Sequence, residues 1–224
     1  MNSTGNDIVS LNAINRSRTK QPGFYSKILS ASEQLLYNEP EFAAIPFEHF
    51  VWLLWSIKES AFKYLQRSNP DLIFSPTKFI VQQLQMPPGY GITNLETTET
   101  EGNGFDSRAN HVKGMIKVGT ATLYSRSIIY KELISSVVNG NDNFENTSWG
   151  IKLISKSHPS FQSTVAREFL VDRLSRLFQM DNCVIGKSSD GFPIVLEGKK
   201  ELRIPVSLSH HDRLVAYSFQ SDDF

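Results

Sequence analysis

Short apolar stretches alternate along the chain with segments whose apolar residues recur at helical spacing. Asn6 to Leu11 (NDIVSL) reads as a short strand. Ser30 or Ser32 caps a helix carrying Leu35, Leu36 and Tyr37. Pro46 suits the first turn of a longer helix that runs through Trp55 to about Leu65. Phe50 to Trp55 is apolar at every position, as in a segment passing through a core. Asn69-Pro70 and Ser75-Pro76 break the pattern, Phe79 to Gln85 reads as a strand, and Pro87-Pro88-Gly89 ends it. Residues 92–110 are polar and predict a long loop, and His111 to Val118 with Ala121 to Tyr130 predict a hairpin around Gly119-Thr120.

Residues 139–148, NGNDNFENTS, lose all periodicity and mark a boundary. Beyond it, Trp149 to Ile154 reads as a strand. Val165, Phe169, Leu170, Leu174, Leu177 and Phe178 predict an amphipathic helix over Ser163 to Gln179. Asp190-Gly191 is a turn, and Ile204 to Ser209 and Leu214 to Phe219 are strands flanking His210-His211-Asp212-Arg213. Each half offers a strand, one long helix and a terminal hairpin. The element order is similar, without a strong sequence repeat.

The 224 residues suffice to bury a core without staples. Lys and Arg balance Asp and Glu at 23 each, so nothing in the global charge predicts a nucleic-acid surface or a polybasic membrane anchor. Cys183 is the single cysteine, which rules out an intrachain disulfide or a cysteine zinc site and suits a reducing cytoplasm. The first thirty residues show no secretory signal, and no apolar run approaches the roughly 20 residues of a membrane helix.

The long first helix carries an unusual end. After its apolar stretch comes Trp55-Ser56-Ile57-Lys58-Glu59-Ser60-Ala61-Phe62-Lys63. Glu59 and Lys63 share a helix face, while Lys58 sits about 100° from Glu59. Read alone, Glu59 and Lys63 form an ordinary surface i,i+4 pair. The other reading is a helix that leaves the core at a cleft, with Glu59 holding a metal or taking a proton and lysines holding phosphate.

This segment resembles the signature helix of 4'-phosphopantetheinyl transferases, close to W-x-x-K-E-[AS]-x-x-K; Trp55, Lys58, Glu59, Ser60 and Lys63 fit every fixed position. Gly5-Asn6-Asp7-Ile8-Val9 resembles the family's strand motif, in which an aspartate follows a glycine by two positions. Val206-Ser207-Leu208-Ser209-His210 is similar to its Ser-His segment, and Gly191-Phe192-Pro193 stands where Gly-Lys-Pro is frequent. Ser75 to Phe79 also sits where many members carry a similar run. The resemblance excludes roughly residues 92–148. Short members assemble as trimers, and long members are pseudo-dimers of two such halves. Here residues 149–219, including Phe169-Leu170-Val171, Phe178-Gln179-Met180-Asp181 and Ser209-His210, look like the first half of a long member, and residues 1 to about 138 like its second. The resemblance therefore implies an α+β fold, a pseudo-dimer of two similar α/β halves, each with a long helix packed on a small antiparallel sheet. The halves, 1–138 and 149–224 with 139–148 as linker, stand in reversed order. The first bears metal and catalysis, the second binds coenzyme A, and the site lies between them in a monomer.

By the same resemblance, 4'-phosphopantetheine passes from coenzyme A to a serine of an acyl or peptidyl carrier protein, and adenosine 3',5'-bisphosphate leaves. Asp7 and Glu59 are the implied ligands of Mg²⁺, Glu59 the base for the serine proton, and Lys63 with Lys58 the cations at the pyrophosphate. His210 contacts a coenzyme A phosphate, Gly191 and Pro193 shape the adenine pocket, and Lys156 and His158 are candidate 3'-phosphate contacts. Three positions depart from the pattern. Asn6 replaces an apolar residue, Val9 stands where long members carry a further acid, and Phe192 replaces the common lysine. Those departures keep open a non-catalytic relative that binds coenzyme A or a carrier domain. The histidine pair His210-His211 lacks a third zinc ligand nearby, and Arg173 with Arg176 reads either as a patch for an acidic partner or as a solvated helix face.

Overall fold

A computed structural model describes residues 3–88, 91–105, 111–180 and 182–221. Gly89, residues 106–110 and Asp181, all used in the sequence reading, lie outside the described residues. The chain opens with strand β1 (Gly5–Ser10) and continues through short helices α1 (Arg16–Thr19), α2 (Pro22–Tyr25) and α3 (Ala31–Leu36) into the long helix α4 (Phe47–Gln66). Strands β2 (Ile80–Gln85), β3 (Glu99–Asn103), β4 (Val112–Val118), β5 (Ala121–Ile129), β6 (Leu133–Asn139) and β7 (Thr147–Leu153) follow. Helix α5 (Pro159–Phe178) then leads to β8 (Cys183–Lys187), β9 (Pro193–Glu197), β10 (Lys200–Leu202), β11 (Val206–His211) and β12 (Leu214–Gln220). The fold is α+β and its strands pair antiparallel. Among the described residues no helix is long and apolar enough to cross a membrane.

One sheet has the order β1-β6-β5-β4-β2, a second β11-β12-β7-β3 and a small third β10-β9-β8. Helix α4 covers the first sheet, and α5 packs on the second and on β8. Every residue of β1 and β6 is buried. Their position explains this. Val9 and Ile134 join the core around α4, while Ile8 and Leu133 pack against Ile151, Leu214 and Ala216 of the second sheet.

The apolar run in α4 is explained by cover on both sides. Phe50, Val51, Leu53, Leu54, Ile57 and Ala61 are all fully buried. Leu11, Ile28, Leu29, Phe42 and Ile45 from the preceding segment complete the same core. Ser30 caps α3 in a capping box with Glu33, as the sequence suggested for Ser30. Glu33 then does three further things: its carboxylate accepts from the Val81 amide and from the Lys58 ammonium at 2.7 Å, and it is completely buried. Lys58 also donates to the Ile28 carbonyl at 2.6 Å. Burial pushes the Lys58 ammonium down, and the Glu33 carboxylate opposes that shift.

Two sequence expectations change here. Residues 92–110 are not loop throughout, because Glu99–Asn103 forms β3, the edge strand beside β7. Its polar sequence suits an edge. Glu101 accepts from Arg173, Arg176 and Tyr217, so those two arginines are engaged within the molecule rather than free for a partner. The strands β6, β8, β9 and β10 also went unread.

Close approach matters at one point above others. A Cβ on Gly5 would overlap the Ser60 carbonyl oxygen and stand 2.8 Å from the Tyr64 nitrogen. Ser60 is equally constrained: fully buried, it donates to the carbonyls of Ser56 and Ser136. Gly5→Ala should therefore cost about 1–3 kcal/mol by chemical denaturation, because β1 must back away from α4. Lys58→Met should cost about 3–5 kcal/mol, since it strands the Glu33 carboxylate without its cation. Unchanged stability in Lys58→Met would contradict a buried, charged pair.

Candidate functional site

The Gly5–Ser60 contact sets Asp7 against the next turn of α4. Lys63 donates to the Asp7 carboxylate at 3.3 Å and to the Asn6 carbonyl at 3.0 Å, and pairs with Glu59 at 3.2 Å. One ammonium thus bridges two carboxylates carried by β1 and α4. Asp7 is almost fully buried, whereas the side chains of Lys63 and Glu59 are 24% and 28% exposed, so the cluster opens to solvent on the α4 side.

The electrostatics follow the burial. Removal from water drives the Asp7 carboxyl up to about 7 against the lowering pull of Lys63, and the Glu59 charge adds to the rise. Burial alone would pull the Lys63 ammonium down, but Asp7 and Glu59 outweigh it and hold it above the ordinary lysine value. The second Asp7 oxygen, Oδ2, is buried with no hydrogen-bond partner among the described residues. A buried carboxylate oxygen left unpaired is costly. Two hard oxygen donors, one of them unsatisfied, fit a small divalent cation. No cluster of three or more His, Cys, Asp or Glu side chains that could hold a metal occurs among the described residues.

The second sheet supplies the opposite wall through β11. Outward-facing amides of β1 reach it by side chains. Asn6 N donates to Ser207 Oγ at 3.0 Å, Asn6 Nδ2 to Ser209 Oγ at 2.8 Å, and Ser10 N to His211 Nδ1 at 3.0 Å. Ser10 Oγ also donates to Asp212. Asn6, the residue that departs from the apolar pattern, is therefore a link across the seam. His211 accepts through Nδ1, so its neutral ring carries the proton on Nε2. Burial lowers its affinity for a second proton, with Asp212 and Glu59 opposing. His210 reaches solvent, but the protein around its ring takes away part of its hydration; that loss and then the Lys63 charge lower its affinity for a second proton, while Glu59 opposes.

A groove of about 220 Å³ runs from Lys63 along Arg67, Gly191, Phe192, Pro193 and Ser207. Gly191 turns the chain with φ of 88°, a conformation that favours glycine. Arg67 donates to the carbonyls of Pro193 and Val206, and its guanidinium lies 5.1 Å from the centre of the Phe192 ring.

The structure therefore brings Asp7, Glu59 and Lys63 together, with Gly191 and Pro193 in the groove beside them. Lys58 is corrected. Its offset around the helix turns it to the α3 side, where it is sealed in with Glu33. Lys156 and His158 stand elsewhere, on the exposed approach to α5. His158 pairs with Ser160, and Lys156 lies over Phe161. That approach sits by the Asp212–Arg213 turn, since Ile154 N donates to Arg213 O and Gln162 to Asp212 O. Val9 faces the core around α4. Sequence reasoning missed Arg67, the C-cap of α4, although Glu59, Lys63 and Arg67 recur every four residues along one face.

Comparison with known families adds one finding. Residues 3–108 match the family model of the 4'-phosphopantetheinyl transferase superfamily. The matched segment holds Asp7, Glu59, Lys63 and Arg67, whereas His210, Gly191, Pro193, Lys156 and His158 lie beyond it. No curated protein and no solved structure matches the chain.

Asp7 supplies a direct test of this electrostatic picture. With divalent ions chelated, its carboxyl carbon should titrate near pH 7 by NMR. The folded value lies above the ordinary 3.8, so the stability gained relative to Asp7→Asn is fully present below about pH 4 and is lost as the pH rises through 7. A midpoint near 4 would mean that the carboxyl is solvated.

Proposed function

We propose that this chain, whose residues 3–108 match the model of the 4'-phosphopantetheinyl transferase superfamily, moves 4'-phosphopantetheine from coenzyme A to a serine of an acyl or peptidyl carrier protein. The observation that carries this reading is the Asp7–Lys63–Glu59 cluster inside the matched segment, whose Lys63 lines a groove walled by the end of α4, the turn before β9, and β11. The reaction forms a bond from the serine oxygen to the β-phosphorus of coenzyme A and breaks the bond to adenosine 3',5'-bisphosphate.

Asp7 and Glu59 would hold Mg²⁺, consistent with the unsatisfied Asp7 Oδ2. When bound, that ion supplies charge neutralisation for phosphate oxygens. Glu59, more exposed than Asp7, takes the serine proton. Lys63 presents its ammonium to the groove and offsets charge on the leaving phosphate. Gly191 and Pro193 shape the wall for the adenosine end, and His210, exposed and within the field of the Lys63 charge, meets a phosphate. Lys156 and His158 stand at the far end of β11 and serve the 3'-phosphate only if the donor spans the seam. Lys58 has no part in the chemistry; it fixes the phase of α4 so that Glu59 faces outward.

The same reading makes the chain a pseudo-dimer with its halves in reversed order. Two twenty-residue helices, each on its own antiparallel sheet, support it. A monomer then carries the whole site.

Incubation of an apo-carrier protein with coenzyme A and Mg²⁺ should raise the carrier's mass by one phosphopantetheine. Asp7→Ala and Glu59→Gln should reduce the rate at least about a hundredfold, with Lys63→Ala close behind. Full turnover by Glu59→Gln would remove Glu59 as the base. Coenzyme A binding without any transfer to several carriers would favour a non-catalytic relative.

A further inference from the structure

Arg67 differs from most other buried or half-buried arginines of this protein. Arg126 pairs with Asp142 and Arg173 with Glu101, while the half-buried Arg167 has no ion pair and donates to Ser163. Among the described residues Arg67 forms no ion pair, although it is half-buried. Glu201 acts on it only through space. Its Nη2 donates to the carbonyls of Pro193 and Val206. Among the described residues, no hydrogen bond uses Nε or Nη1. The guanidinium therefore keeps donors free on a planar fork. Phe192 backs it with a ring face, which holds the plane in place without neutralising it. A half-buried cation without a counter-ion, fixed at a groove, is a site waiting for an anion.

The location narrows the anion. Arg67 follows Lys63 by one helical turn, and both line the same groove with Gly191 and Pro193. A ligand with one phosphate at Lys63 and more negative charge about one turn away, roughly 5–6 Å, would meet Arg67. We propose that Arg67 is the second phosphate-binding cation of this groove, and that Phe192 is its support rather than a lost contact. This rests on the transferase reading, with coenzyme A as the phosphate ester. The family pattern usually has a lysine at the position of Phe192. In this chain the charge would come from the opposite wall, from α4, and the aromatic residue would hold it.

Calorimetry with coenzyme A and with dephospho-coenzyme A tests this on the wild-type chain and on Arg67→Gln, Arg67→Lys and Arg67→Gln/Phe192→Lys. Glutamine keeps an amide donor for the two carbonyls but removes the charge. It should weaken coenzyme A binding about tenfold or more. Arg67→Lys keeps the charge and loses the fork, so it should fall between the two, and it serves if Arg67→Gln does not fold. The double variant returns a cation to the groove and should recover part of the loss. Loss confined to coenzyme A assigns Arg67 to the 3'-phosphate; equal loss with dephospho-coenzyme A assigns it to the pyrophosphate. A folded Arg67→Gln, or Arg67→Lys where that alone folds, that binds both donors like the wild type overturns the inference and leaves the transferase reading intact. Binding by no form, wild type included, overturns both.

Discussion

The contact between Gly5 and Ser60 governs the rest of the site. β1 lies so close to α4 that the strand has no room for a Cβ there. This single approach puts the Asn6 carbonyl and the Asp7 carboxylate within reach of the Lys63 ammonium. It also removes Asp7 from water, which is why its carboxyl resists ionisation. Geometry and electrostatics therefore share one cause. A strand set back by the width of a methyl group would leave Asp7 better solvated and farther from Lys63. Small residues on both sides of the contact bring the acid to Lys63 and make it unusually basic.

Lys58 and Lys63 show how strongly cover decides the fate of a charge. Both lie on α4, five residues apart. Lys58 turns toward α3 and β2, where Glu33 meets it at 2.7 Å in a fully buried setting. Such a pair gives little net stability against an apolar substitute, yet breaking one side is expensive. Its value is positional, because it locks the rotation of α4 against α3. Lys63 turns toward β1 and the groove, and keeps contact with solvent. One helix thus turns one cation inward, where it fixes the helix's orientation, and leaves the other at the partly exposed cluster with Asp7 and Glu59.

The two sheets meet through side chains more than through a continuous ladder. Asn6, Ser207, Ser209, Ser10 and His211 satisfy groups that an open strand edge would otherwise leave bare. Ile8 and Leu133 add an apolar patch against Ile151, Leu214 and Ala216. β3 strengthens the joint from a distance, because between β2 and β4 the chain leaves the first sheet to pair with β7 and anchors Glu101 between Arg173 and Arg176. The groove that Arg67 and Phe192 line is held by this same joint, since its walls come from α4, the turn before β9 and β11.

Much of this was legible in the sequence where a local rule applied. The apolar run of α4, the Ser30 cap and the hairpin of β4 and β5 follow from periodicity and turn chemistry. The four-residue spacing of Glu59 and Lys63 correctly placed them on one face. β3 escaped because an edge strand with Thr and Glu looks like a loop until its partner is known. Lys58 was assigned to the site because a sequence shows where a residue lies on a helix but not what covers that side. The cover came from Glu33, 25 residues earlier, and from an amide of β2. Asn6 and Phe192 looked like defects for the same reason. Each departs from a pattern that records the common partner, and each has a different partner here: Ser209 across the seam for Asn6, and the Arg67 guanidinium for Phe192. A departure from a family pattern is thus incomplete evidence of lost function until the residue facing it is known.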